Sequence, residues 1–236
     1  MNKFLKLLLL IGCSPFFLFS CLENADKTLV LPNVVYATPI KEVIPEALLT
    51  DIEKYMPIYE GATPPNIEGI YLVSPGTLVY TSDGIYDPGK VFADEIIRFS
   101  GQNGATNIVT YAGKQASSED SSELVSVSGT NENFTAYFIA TGTSVGISTK
   151  TSTVISGTMT ASGIQYYKMA FIMLEKGADP DKKLMDVNAY RIFRDGDDLA
   201  SNTTWTTASK VKSINVSVNQ GLTKYSIYQS SKNTAK

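Results

Sequence analysis

Carboxylates are the residues whose spacing could most readily support chemistry. Asp179-Pro180-Asp181 with Asp186, and Asp195-Gly196-Asp197-Asp198, form two acidic clusters. Calcium takes about six to eight oxygen ligands, and carboxylates set close together in a turn can supply several. Neither cluster follows the Asp-x-Asp-x-Asp-Gly order. Asp-Pro-Asp and Asp-Gly-Asp-Asp are also hairpin-turn sequences whose side chains bond their own backbone, and the turn is the reading expected, with no metal. Paired carboxylates can hydrolyse glycosides without histidine, so that enzyme class stays open. No Asp or Glu here sits in a setting that marks it for the task.

Other reactive classes are thinner. None of the 236 residues is histidine, which removes Ser-His and Cys-His catalysis, His-ligated metals and an imidazole pH switch. Ser148–Gly163 holds nine Ser or Thr in sixteen residues; it reads as a polar ligand-facing wall or a solvent-facing strand. Lys150 and Lys168 are conceivable bases, but nothing in the sequence pairs them with a hydroxyl. Aromatic side chains offer more, since 13 of the 24 are Tyr and Tyr and Trp combine an apolar face with a polar tip that suits sugars and amphipathic ligands. Tyr71, Tyr166 and Trp205 are candidate ligand contacts, the alternative being ordinary core filling. Tyr166 and Tyr167 are neighbours on an expected strand and must point to opposite faces, so at most one lines a given cavity. The net charge of −3 comes without a basic block, which gives no footprint for nucleic acid.

The first twenty residues read as a secretory signal. Lys3 and Lys6 open it, and Leu5–Phe19 is apolar apart from Lys6, Gly12, Ser14 and Pro15, too short a run to span a bilayer comfortably. It ends in Leu18-Phe19-Ser20-Cys21, which resembles the lipobox of bacterial lipoproteins. The resemblance implies that Cys21 takes a diacylglycerol thioether, that the signal is cut before it, and that the freed amine takes a further acyl chain such as palmitate. Two or more chains hold a protein stably at a membrane, at roughly 0.8 kcal/mol per buried CH₂. Cys13 would leave with the signal. Losing Lys3 and Lys6 would take the 20 basic residues to 18 against 23 acidic, a net of −5. Leu22 follows the cysteine, so an inner-membrane retention signal is missing, and Glu23 and Asp26 come soon after. The expectation is an outer-membrane lipoprotein facing the periplasm or the cell surface, with no cofactor beyond the covalent lipid.

The elements that must position any site follow. Residues 21–41 contain Pro32 and Pro39 without a clear period and read as a tether from Cys21, reaching at most about 70 Å at roughly 3.3 Å per residue. Residues 42–65 read as one short helix and a Pro-rich connector. Pro45 and Glu46 suit a first helical turn, and Leu48, Leu49, Ile52, Tyr55 and Met56 form a core-facing stripe that Pro57 ends. Residues 66–236 read as an antiparallel β domain. Strands are predicted near Ile67–Ser74, Thr77–Thr81, Glu95–Ser100, Asn107–Ala112, Glu123–Ser128, Asn133–Ala140, Thr151–Thr160, Ile164–Glu175 and Asp186–Arg194. Two weaker ones are predicted near Lys210–Val218 and Lys224–Gln229. Phe134, Ala136, Phe138 and Ala140 share one face, opposite Thr135, Tyr137 and Ile139. Ala161-Ser162-Gly163 suits a tight hairpin, while Ser82–Lys90 and Gly113–Ser122 read as polar loops.

Several runs resemble an uncharacterised Bacteroidota-type cell-envelope lipoprotein family. They are Met56–Gly61, Pro64–Pro75, Ile147–Thr151, Val154–Thr158, Met173–Pro180 and Tyr190–Asp195. That family implies location and a β domain, and no activity. Gly69-Ile70-Tyr71 after a helix, with Arg191 on a late strand, is similar to the lipocalin or calycin barrels, whose first strand begins Gly-x-Trp and whose late Arg packs over that Trp; Tyr replaces Trp here. The likeness implies a calycin-like β-barrel, with a β-sandwich as the alternative, and adds Arg191 to the candidate ligand contacts.

Together these readings give a lipid-anchored envelope protein that binds a small or extended ligand, hydrophobic or carbohydrate, without catalysis. The alternatives are an accessory protein of an envelope complex, whose protein partner is unspecified, and a histidine-free carboxylate glycosidase.

Overall fold

Strand β8 (Asn133–Ser144) has both faces buried, and it sets the plan of the molecule. Phe134, Ala136, Phe138 and Ala140 join an inner cluster with Tyr71, Ile97, Phe99, Tyr111, Val127 and Ile155. Tyr137, on the other face, packs with a second cluster built around two helices. A two-residue period thus serves two cores at once. The computed structural model describes residues 39–205. The expected signal, lipobox, Cys21 and nearly all of the tether lie outside the described residues, as do the strands expected near Lys210–Val218 and Lys224–Gln229.

The chain is mainly β, one antiparallel sheet with two short helices. Strands β5 (Glu95–Asn103), β6 (Ile108–Gln115), β7 (Ser118–Thr130), β8, β9 (Ile147–Thr160) and β10 (Gly163–Lys176) run as an uninterrupted antiparallel meander. Beyond it the meander fails. β2 (Gly69–Val73) pairs with β5, but β3 (Gly76–Thr81), next in the chain, pairs instead with β11 (Tyr190–Asp195). β11 lies on β10, and β4 (Val91–Phe92) extends from β3. β12 (Leu199–Asn202) pairs with two strands, through Ser201 and Asn202 with β2 and through Leu199–Ser201 with β10. A two-residue β1 (Ala62–Thr63) pairs parallel with β7.

Two helices stand where one was expected. α1 (Ile40–Val43) begins inside the expected tether and α2 (Glu46–Ile52) carries the apolar stripe. Leu49, Ile52 and Met56 are buried, with Leu48 and Tyr55 partly buried beside them, against Val154, Ala170, Ile172 and Ile192. Full burial of one such side chain contributes roughly 1.5–3 kcal/mol. Polar bonds fix the packing: Ser152 Oγ donates to the Val43 carbonyl at 2.8 Å and Lys168 Nζ to the Tyr55 carbonyl at 2.7 Å. Among the described residues no helix is long and apolar enough to cross a membrane.

The segment Gly113–Ser122, expected to be a loop, is the hairpin of β6 and β7, turning at Ala116 and Ser117. Ser82–Lys90 is a connection between β3 and β4, and β9 and β10 meet through Ala161 and Ser162.

Candidate functional site

The inward faces of β5 and β6 begin apolar and end polar. On β5 the same face carries Phe99, Ile97 and then Glu95; on β6 it carries Val109, Tyr111 and then Gly113. A bulge in β7 between Ser121 and Ser126 shifts its register by one residue, so Asp120 comes opposite Gly113. Glycine is required there, because a Cβ would collide with both the Tyr111 hydroxyl and Asp120 Oδ1. In the space so left, Tyr111 Oη hydrogen-bonds Asp120 and lies 3.5 Å from Glu95 Oε1. From β10 the fully buried Tyr167 joins them.

Of these groups Glu95, Asp120 and Tyr167 line a cavity of about 200 Å³. Its apolar lining is a chain of aromatic contacts. Phe171 stacks on Phe193 at 5.7 Å, Phe92 meets Phe193 edge-on at 5.1 Å, and Tyr86 meets Phe92 edge-on at 5.4 Å. Met169 and Met173 add polarisable surface, and Thr143, Thr149, Thr151 and Thr153 add hydroxyls. Arg191 also reaches the lining; it bonds Asp83 Oδ2 at 2.8 Å and lies over the Tyr86 ring, 5.0 Å from its centroid. Burial alone would raise Asp83, but bonds from Thr81, the Ile85 N–H and Arg191 hold its carboxyl below the ordinary range. That ion pair is largely buried, its side chains 12% and 10% exposed.

The electrostatics are set by burial, with no counter-ion among the described residues. Burial pushes Glu95 up to about 8, with the charge of Asp120 adding to it and the Tyr111 hydroxyl opposing it. Burial pushes Asp120 up to about 6, again against the Tyr111 hydrogen bond. At pH 7, therefore, Glu95 is mostly protonated and Asp120 mostly ionised. Asp120 retains some accessible surface and lines the cavity. The Tyr111 and Tyr167 hydroxyls are driven well above their ordinary value by burial, then by these carboxyls. Among the described residues Tyr167 Oη has no hydrogen-bond partner.

The residues expected from the sequence fall differently. Arg191 lines the cavity, but its ring partner is Tyr86 and not Tyr71. Tyr71 is core: 1% exposed, its hydroxyl donating to the carbonyls of Ile67 and Glu68 at 3.0 and 3.1 Å. Tyr166 is 55% exposed and outside the cavity, while its neighbour Tyr167 is inside. Trp205 also lies outside the lining, with Arg98 and Lys114 over its ring at 4.6 and 5.0 Å. Both acidic clusters fold as turns. Asp179 accepts the N–H groups of Lys183 and Leu184 at 2.7 and 3.0 Å; Asp195 accepts those of Asp197 and Ser74 at 3.0 and 2.8 Å. Among the described residues no three carboxylates gather as metal ligands. Lys150 pairs with Glu175, and Lys168 is engaged on the helix segment. The Ser/Thr-rich segment gives three threonines to the cavity.

Glu95 and Asp120 were not singled out by sequence. The signal available was Glu95-x-Ile97-x-Phe99, a carboxylate in phase with two core residues. Compared with protein-family models, with curated proteins and with solved structures, the chain has no match.

Proposed function

We propose that the protein is a lipid-anchored lipoprotein of the bacterial outer membrane whose β domain, closing as a calycin-like barrel, binds a small ligand non-covalently. The observation that carries the binding reading is the cavity of about 200 Å³, lined by the rings of Tyr86, Phe92, Phe171 and Phe193 and by the carboxyls of Glu95 and Asp120. Apolar cavities of about 150 Å³ hold a benzene-sized molecule, so the space suits a compact ligand and excludes a lipid or an oligosaccharide chain. Support for closure is the double pairing of β12, which links β2 to β10 and leaves neither without a neighbour on that side. The ring β2, β5 to β10 and β12 has eight strands, and barrels of about eight strands hold one small ligand.

Two observations favour binding over the other readings. Among the described residues the exposed large apolar ones are dispersed, with Ile85 and Val91 in and beside one connection and Leu124, Tyr166 and Val187 elsewhere; an envelope partner would favour one continuous patch. Tyr111 Oη stands against both Glu95 and Asp120, where the scissile oxygen of a glycoside would have to sit between an acid and a nucleophile.

The anchor is tested by Cys21→Ser, which should move the protein from the membrane to the soluble fraction; unchanged detergent partitioning refutes lipidation. Binding is tested by calorimetric titration with small aromatic probes, in parallel with Thr151→Trp, which fills the cavity. Saturable heat from the first and none from the second is expected. Equal heat from both would place binding elsewhere and end the cavity reading.

A further inference from the structure

The cavity is oversupplied with oxygen acceptors. β5 contributes Glu95, β7 Asp120 and β10 the Tyr167 hydroxyl; the Tyr111 hydroxyl of β6, outside the lining, bonds Asp120, and the charge of Asp195 on β11 acts on Tyr167 as well. Among the described residues no cationic group contributes to the electrostatics of Glu95 or Asp120. The cations on the lining are otherwise engaged: Arg191 with Asp83, and Lys183 with Asp181. Glu119, on the same lining, pairs with Lys114. Two carboxyls are thus placed together in a largely buried space without a counter-charge among the described residues, an arrangement that is costly unless something pairs them.

A second, independent observation concerns Tyr167. Its side chain is 0% exposed, it lines the cavity, and among the described residues its hydroxyl makes no hydrogen bond. Buried hydroxyls are almost always bonded, and each exception calls for an explanation. An ammonium supplies three donors and no acceptor. It therefore answers the carboxyls and the free phenol oxygen together. A carboxylate or phosphate ligand would be repelled, and a neutral alcohol supplies a single donor.

We propose that this cavity takes a small organic cation, a primary amine on a compact apolar body. Its ammonium would lie among Glu95, Asp120 and Tyr167, and its apolar part along Phe171 and Phe193. This deepens the binding reading above and rests on it. Near neutral pH the amine displaces the proton of Glu95, which passes to buffer; no covalent bond is made or broken.

The experiment is calorimetric titration of the purified full-length protein with three near-isosteric probes: 2-phenylethylamine, 2-phenylethanol and 3-phenylpropionate. Each is run at pH 6 and pH 8.5, in buffers of different ionisation enthalpy. The amine should bind at least tenfold more tightly than the alcohol at pH 8.5 and lose about tenfold or more at pH 6, because the competent, ionised form is then a minor population. Proton release should accompany amine binding at pH 6. Glu95→Gln and Asp120→Asn should each abolish the preference for amine over alcohol, with an unchanged near-ultraviolet circular dichroism spectrum showing that both variants keep the fold; a preference retained in both overturns the cation proposal. Alcohol binding as tight as amine, or amine affinity flat across this pH range, overturns the cation proposal and leaves the small-ligand reading standing. Silence from all three probes overturns both.

Discussion

Replacing Glu95 with glutamine should make the protein more stable at alkaline pH, the reverse of what removing a carboxylate usually does. The folded chain holds the Glu95 proton up to about pH 8, against an ordinary value of 4.5. Its contribution to stability is therefore fully present below pH 4.5 and is lost as pH rises through 8. The whole interval corresponds to roughly 5 kcal/mol, of which about 3 kcal/mol is gone by pH 7. Against a typical total of about 5–15 kcal/mol this is a large fraction. Asp120 and Asp195, each raised to about 6, act in the same direction at lower pH, burial being the main cause for both. In the Glu95→Gln variant the amide keeps the shape and the hydrogen-bonding capacity of the protonated carboxyl but has no proton to lose. Urea denaturation at pH 4.5, 7 and 8.5 reads the effect, with fluorescence of Trp205, the single tryptophan, as the probe. Wild type and variant should agree within about 1 kcal/mol at pH 4.5 and diverge by about 3 kcal/mol at pH 7, in favour of the variant. Parallel pH curves for the two proteins would refute the reasoning, since Glu95 would then ionise as easily folded as unfolded.

Other perturbations probe neighbouring contacts. Gly113→Ala should cost about 2–3 kcal/mol in the same denaturation assay, because its Cβ must displace the Tyr111 hydroxyl and Asp120 from buried positions; a neutral effect would mean the polar cluster is loosely held. Asp83→Ala leaves the Arg191 guanidinium, whose Nε already lacks a partner, without its counter-ion, for a loss of about 3–5 kcal/mol. Adding Arg191→Met to it should recover much of that loss. Phe193→Ala removes a central ring of the cavity lining at a cost of about 3–5 kcal/mol, and should shift calorimetric binding toward bulkier aromatic probes. Ile52→Ala should cost about 2–5 kcal/mol, and native-state hydrogen exchange should rise first in α2 and the facing part of β10.

The parts of the fold legible from sequence are those where one face of an element is apolar throughout. The even-numbered residues Phe134–Ala140 mark the inner face of β8, and Leu49, Ile52 and Met56 mark the buried side of α2. The β6–β7 hairpin reads as a loop because its inward residues near the turn, among them Gln115, Ser118 and Asp120, line a cavity rather than a core. Alternation that separates polar from apolar vanishes where both faces are polar. Asp120 is hidden for a further reason. Counting back by twos from Val127 and Val125 puts it on the wrong face, and only the bulge after Ser121 turns it inward. β12 lacks β-branched residues, reading Leu-Ala-Ser-Asn, and exists because two strands offer it open edges. The acidic turns are legible because Asx hydrogen bonding is local, within five residues of chain.

The smallness of β12 has a consequence for the order of folding. The β5–β10 meander joins sequence neighbours and needs only short loops to close. β12, by contrast, pairs Asn202 with Tyr71, so its bonds reward the ordering of nearly the whole described chain and come late, when loop-closure entropy has already been met. Until they form, β2 offers a bare row of backbone donors and acceptors to any other chain within reach. The interval between completion of the meander and arrival of Leu199–Asn202 is therefore when this protein is most open to misassembly. Substitutions that weaken β12 should raise aggregation during refolding before they measurably lower the stability of the finished fold.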